Sequence, residues 1–293
     1  MAINIEQVKR RQPAMPQCRR PNRILSKYHL ILKVLLLAVI GILIVTAAVI
    51  YGNHTQWQTA STVQKASHQA RRKTKKQRVF KANNIKQIAA KKNVTLDYSG
   101  TGGLSNKADM LKLAQSNQTE ILRGFVAVPS FNISEPIYEG TSNHVLAIGA
   151  GINAPNIKFG NGLVPIFAHN MGDYNALWPY HPTKFSALQN MTEKTVLGKD
   201  IYLSDGQTVY RYKTTHLEYG IQVDDMNQEL TVGNTGKPKV KLIACLEDQD
   251  FWQQVKASHY TNYQANKRIV LTGDLVSQAS FNSLDAKLKE QLQ

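Results

Sequence analysis

Ile201-Tyr202-Leu203-Ser204-Asp205-Gly206-Gln207-Thr208-Val209-Tyr210-Arg211-Tyr212 reads as two strands joined by a tight turn, because Asp-Gly supplies the positive φ angles that a hairpin needs. Outward from this hairpin, short apolar runs separated by turn residues recur from Ile121 onward. They predict strands over 122–128, 133–138, 145–150, 163–169, 200–204, 207–219, 239–246 and 268–276. The pattern argues for an antiparallel barrel or sandwich. A helical turn is expected over 184–191 with Phe185 and Leu188 facing the core, a short amphipathic helix over 107–118, and a polar helical tail over 283–293. No internal repeat is present.

The N-terminal third is of another kind. From Leu30 to Ile50 the chain is apolar except for Lys33, and 21 helical residues span roughly 31 Å, about one hydrocarbon core. Lys33 can extend its ammonium to the headgroups, and Tyr28 and Tyr51 suit the two interfaces. A cleaved signal peptide is the rival reading, with Thr46-Ala47-Ala48 as a small-residue site, but the apolar run is long for a signal core. Arg19, Arg20, Arg23, Lys27 and Lys33 lie close before the span and only Lys65 close after it. The positive-inside rule therefore places the N-terminus in the cytoplasm and everything after Tyr51 outside.

The chain then divides into a basic cytoplasmic arm (1–29), a transmembrane helix (30–51), a basic extracellular stalk (52–105) and a folded domain (106–293). Its formal charge of +16 would suggest nucleic acid, but residues 1–33 carry +7, residues 54–95 carry +11, and residues 96–293 carry −2. The folded part has no electrostatic footprint for DNA or RNA. Segment 54–95 is rich in Gln, Ala, Lys and Thr, and reads as a solvated spacer. Its run Arg71-Arg72-Lys73-Thr74-Lys75-Lys76 can also lean on anionic lipid or wall polymer.

The topology separates the two cysteines, Cys18 inside and Cys245 outside, so they cannot pair within one molecule. An outward-facing domain of this size without a disulfide suits a Gram-positive cell envelope. A lone thiol is either a small buried hydrophobe or a nucleophile. Its neighbours favour the nucleophile. Cys245 ends the run Val240-Lys241-Leu242-Ile243-Ala244-Cys245, His169 ends Leu163-Val164-Pro165-Ile166-Phe167-Ala168, and Arg268 opens Arg268-Ile269-Val270-Leu271-Thr272-Gly273. Nucleophile, base and fixed cation each stand at a strand edge. The remaining histidines lack such a setting and read as surface or structural. There is no HExxH or close His/Cys cluster, so no cofactor is expected. Calcium stays open, since Asp224, Asp225, Glu229, Glu247, Asp248 and Asp250 fall in loops flanking the site.

On these residues, roughly 121–277, the chain resembles the class A sortases, membrane-anchored cysteine transpeptidases of Gram-positive surfaces. The resemblance rests on Phe167-Ala168-His169-Asn170, Leu242-Ile243-Ala244-Cys245 and Lys267-Arg268-Ile269-Val270, with Leu146-Ala147-Ile148-Gly149-Ala150-Gly151 and Phe185-Ser186-Ala187-Leu188 as further landmarks. It departs from the family at Ala244, where Thr is commoner, and at Ala168 and Asn170, where Gly and Arg are more usual. The resemblance implies a closed eight-stranded barrel over 106–293 and catalytic roles for His169, Cys245 and Arg268. It further implies cleavage of Leu-Pro-X-Thr-Gly-like signals of surface proteins after Thr, through a thioester on Cys245, and transfer to an amine of lipid II. The lack of a second membrane span and of an Asp-Pro-Trp lid sets it apart from the pilus-polymerising class. Two other readings remain: a papain-like wall peptidase, which would place Cys before His in the chain, and a non-catalytic, membrane-tethered wall-binding module.

Overall fold

The computed structural model describes residues 23–74, 77–100, 112–170, 183–231, 236–258 and 264–293. Two compact units are present, residues 1–52 and 53–293. In the first, helix α1 (Arg23–Thr74) begins, and its stretch Tyr28–Gly52 is long and apolar enough to cross a membrane.

The second unit is a closed eight-stranded barrel in the order β1-β2-β3-β4-β7-β8-β6-β5. Its strands are β1 (Leu122–Val128), β2 (Ile133–Glu139), β3 (Ala150–Ile152), β4 (Leu163–Phe167), β5 (Asp200–Ser204), β6 (Thr208–Gln222), β7 (Lys239–Cys245) and β8 (Lys267–Ser280). Closure leaves no sheet edge to aggregate. Alternate side chains point inward, so Val126, Ile137, Ile166, Ile201, Leu203, Leu242, Ile269 and Leu271 fill the interior. Phe185 and Leu188, beside and within a 3₁₀ turn (Ser186–Asn190), are buried in the same core as expected. The antiparallel expectation needs one correction: β2–β3 and β4–β7 run parallel.

The leading hairpin forms where the sequence placed it. Ser204 pairs with Val209, Gly206 supplies the positive φ of 83°, and Asp205 Oδ1 accepts the amides of Gln207 and Thr208 at 3.0 and 2.7 Å. The strand expected over 145–150 is instead helix α3 (Asn143–Ile148), followed by the short β3. Ser142 caps it by accepting the Val145 amide at 3.1 Å. A short run buried all round carries no period to separate helix from strand, and the cap decides.

Part of the segment read as a spacer packs on the barrel. Thr74 Oγ1 meets Tyr138 Oη at 2.6 Å, and Arg71 donates to Ser134 Oγ at 2.6 Å. Arg71 also reaches the carbonyls of Glu290 and Gln291 at 3.0 Å, at the end of the C-terminal helix (Ala286–Gln291). The Phe80 amide donates to Leu122 O at 2.9 Å, and Ile85 and Ala89 of helix α2 (Ile85–Lys92) are buried with Ile121. A few apolar residues at the right spacing suffice when a barrel wall is there to receive them, which composition alone does not reveal. Of the helix expected over 107–118, residues 112–115 are helical and 107–111 lie outside the described residues.

Gly124 marks the tightest backbone approach in the wall, at a register shift between β1 and β2. Its φ is +151°, and a Cβ there would sit 2.0 Å from Ser204 O of β5. Gly124→Ala is therefore expected to lower stability by at least about 3 kcal/mol, since backbone must move on both strands. Chemical denaturation tests this; an unchanged midpoint would show that the wall is loose there.

Candidate active site

Strand β7 organises the site because it pairs with β4 on one side and β8 on the other. Its antiparallel register with β8 sets Cys245 opposite Arg268. Its parallel register with β4 sets Ile243 opposite Phe167, and the Ala168 amide continues the ladder to Ile243 O at 3.1 Å. His169 follows at once. The three residues singled out in the sequence thus emerge together at one end of β4, β7 and β8, around a tight pocket of about 10 Å³ that Leu146 and Phe167 also line. That is scarcely room for one water.

The turns that carry His169 and Cys245 are joined by polar side chains that the sequence did not point to. Asn170 Nδ2 donates to Cys245 O at 2.9 Å and to Gln189 Oε1 at 2.7 Å. Gln189 in turn accepts the Glu247 amide and donates to Glu247 O, both at 3.1 Å. This buckle ties the turn after β4 to the turn after β7. Asn170 was visible only as a departure from a family pattern, and Gln189 gave no signal, because the partners are 19 to 75 residues apart. Ala244 is buried in the apolar core, where the hydroxyl of a Thr would need a partner.

Arg268 is 4% exposed, and its Nη1 donates to Ala265 O at 2.8 Å and Lys267 O at 3.0 Å. Its guanidinium is thereby oriented before any substrate arrives. Cys245 is half-buried and packs against a cluster formed by Ala265 with Phe251 and Val255 of helix α4 (Gln249–Ala257). Burial pushes its thiol up, Arg268 pulls it down, and Glu247 adds to the rise. His169 is 8% exposed, and its Nε2 is buried without a hydrogen-bond partner among the described residues. Burial, then the charges of Lys184 and Arg268, pull its imidazole down to about 4. Both shifts favour the neutral forms, and an imidazole lowered in this way is a weak base that surrenders a proton readily once charged.

The acidic loops have partners of their own. Lys267 Nζ bridges Asp248 at 2.8 Å and Asp250 at 2.9 Å, and Lys241 pairs with Glu229. Among the described residues no three His, Cys, Asp or Glu side chains converge as a metal site. His181 and Cys18 lie outside the described residues.

The depressed imidazole has a consequence for stability. In the unfolded chain it takes a proton near 6.5 and in the folded chain only near 4. Between those values the unfolded state binds more protons, so stability falls as pH falls through that window and this group contributes no slope above it. Denaturation at several pH values should show His169→Gln with a shallower acid loss than the parent. Equal slopes would contradict the burial argument.

Comparison with known proteins agrees with the family that the sequence resembles. A family model described as the sortase domain matches residues 126–276. The chain is 25% identical over 166 residues to sortase A of Listeria monocytogenes, covering 57% of this chain and 67% of that protein. It is 23% identical over 199 residues to sortase A of Streptococcus agalactiae, covering 68% and 70%. The solved structure of the Listeria monocytogenes sortase A superposes with a TM-score of 0.42 at 22% identity, covering 58% of this chain and 94% of that one. With more than half of its length matched by that family model, this chain belongs to the sortase family.

Proposed function

We propose that this sortase is a class A-type transpeptidase that cleaves Leu-Pro-X-Thr-Gly-like sorting signals between Thr and Gly and transfers the surface protein to an amine of a peptidoglycan precursor such as lipid II. The observation that carries the reading is the strand register that brings Cys245, Arg268 and His169 to one barrel end. In it, Cys245 Sγ attacks the Thr carbonyl carbon while its proton passes to His169. Arg268 stabilises the oxyanion with its planar fork. The imidazolium then protonates the departing Gly amine, leaving a thioester on Cys245. The incoming amine attacks that thioester, gives its proton to His169, and the thiol is regenerated. Side chains alone supply this chemistry.

The membrane helix fits the same reading, since both substrates arrive at the membrane and confinement raises their effective concentration. By the positive-inside argument the N-terminus is cytoplasmic and the barrel is outside. Order in the chain, His169 before Cys245, counts against a papain-like peptidase. A thiol with two basic side chains beside it counts against a passive wall-binding module.

The test is transfer of a sorting-signal peptide to triglycine or another amine, with products weighed by mass spectrometry. Cys245→Ala and His169→Ala are expected to abolish transfer in folded protein. Arg268→Lys is expected to lose much of kcat/KM despite its charge, and Arg268→Ala about 100- to 1,000-fold. Near-normal turnover in a folded Arg268→Ala variant would remove Arg268 from the mechanism.

A further inference from the structure

The parallel ladder between β4 and β7 is finished by a side chain. Bonds in such a ladder recur every second residue, so after Ala168 N to Ile243 O at 3.1 Å the next acceptor on β7 is Cys245 O. Asn170 Nδ2 donates to it at 2.9 Å, at a point where β4 has already ended. The same nitrogen donates to Gln189 Oε1 at 2.7 Å, and Gln189 closes on both backbone groups of Glu247 at 3.1 Å. Cys245 O can only accept and Glu247 N can only donate, so a single orientation of the two side-chain amides satisfies every bond. Asn170 is 6% exposed, and a satisfied buried network of this kind is rigid. The 3₁₀ turn that carries Gln189 is anchored in turn from β6, where the Tyr219 hydroxyl donates to Met191 O at 2.8 Å. Phe185 N, at the entry to that turn, donates to His169 O at 3.1 Å.

Resting on the proposed transpeptidation, we propose that Asn170, backed by Gln189, is a positioning residue for it: the side-chain amide holds the Cys245 carbonyl while the adjoining backbone carries His169, so that thiol and imidazole keep one separation through acylation and transfer. His169 Nε2 is buried without a hydrogen-bond partner among the described residues, so no bond at that nitrogen orients the ring and its backbone turn has to. Cys245 is the last residue of β7, and the carbonyl that Asn170 holds is the point where the thiol's own backbone leaves the ladder with β4. The buckle thus spans the two places at which nucleophile and base would otherwise move independently. Proton transfer from thiol to imidazole to leaving amine is steep in distance, and a misplacement of about 1 Å costs on the order of 100-fold in rate. Since the buckle acts through backbone, its loss falls on turnover rather than on substrate binding.

The full chain in detergent is assayed with a Leu-Pro-Glu-Thr-Gly-Gly peptide, triglycine being the acceptor. Asn170→Ala is expected to lower kcat about 100-fold with KM within about twofold of the parent. Asn170→Asp keeps the shape but turns an acceptor towards the Cys245 carbonyl, and should lose at least as much. Gln189→Ala changes a half-buried side chain, should fold, and should lower kcat about tenfold at unchanged KM. Because the two residues act as one unit, Asn170→Ala/Gln189→Ala should be no slower than Asn170→Ala alone. Without any substrate, hydrogen exchange at the Glu247 amide should quicken about tenfold in Gln189→Ala. Unchanged kcat in Gln189→Ala, losses that multiply in the double variant, losses that fall on KM, or unchanged exchange at Glu247 would each overturn the proposal. So would failure of Gln189→Ala to fold, which would make the buckle a structural strut. Cys245→Ala and His169→Ala run in parallel; turnover in those would sink the transpeptidase reading itself, while the exchange measurement still judges the buckle.

Discussion

Everything at the site depends on the register of β7 between β4 and β8. Strand side chains alternate with a period of two, so a slip of one residue in either ladder would turn Cys245 or Arg268 to the other face. The register is fixed by the core: Leu242 faces Leu271 across one ladder and Ile166 across the other, and all three are buried in the barrel. Barrel closure removes the option of sliding, because β8 is also bound along its length to β6, from Lys267 opposite Gln222 to Ser280 opposite Thr208. Core packing thereby places the Cys245 thiol opposite the fixed cation of Arg268.

Electrostatics at the site pull against one another, and burial wins. The thiol is raised although Arg268 stands beside it, and the imidazole is lowered. For a pair so separated, attack by a rare thiolate beside imidazolium and attack by a thiol deprotonated in step give the same pH dependence, since both states carry the same protons. What the structure adds is the sense of the imbalance: a reluctant base is a strong acid once charged. This favours breakage of an amide, whose leaving amine is poor, over mere formation of the tetrahedral adduct.

The strands were legible because each is bounded by turn residues and rich in β-branched and aromatic side chains, as in Gln207-Thr208-Val209-Tyr210. So were the strand ends that carry His169, Cys245 and Arg268, because chemistry-bearing residues at the edge of apolar runs stand out. Other features were not legible, for physical reasons. The run Val145-Leu146-Ala147-Ile148 is buried on all sides and carries no period, so the Ser142 cap alone decides that it is helical. Arg71, Phe80 and Ile85 look like parts of a spacer until Ser134, Leu122 and Ile121 are in place to receive them. Gln189 bonds the turn after β7, and Lys184 pairs with Glu135 of β2, at separations no local pattern encodes.

The proposed transpeptidation requires Cys245 to carry the acyl group. The direct measurement is the intact mass of the full chain after brief exposure to a sorting-signal peptide with no amine acceptor, followed by proteolytic mapping. The expected result is a covalent adduct equal to the peptide up to its Thr, located on Cys245, sensitive to hydroxylamine and discharged by triglycine. Product release without any adduct on Cys245, or an adduct that persists in Cys245→Ala, would contradict it.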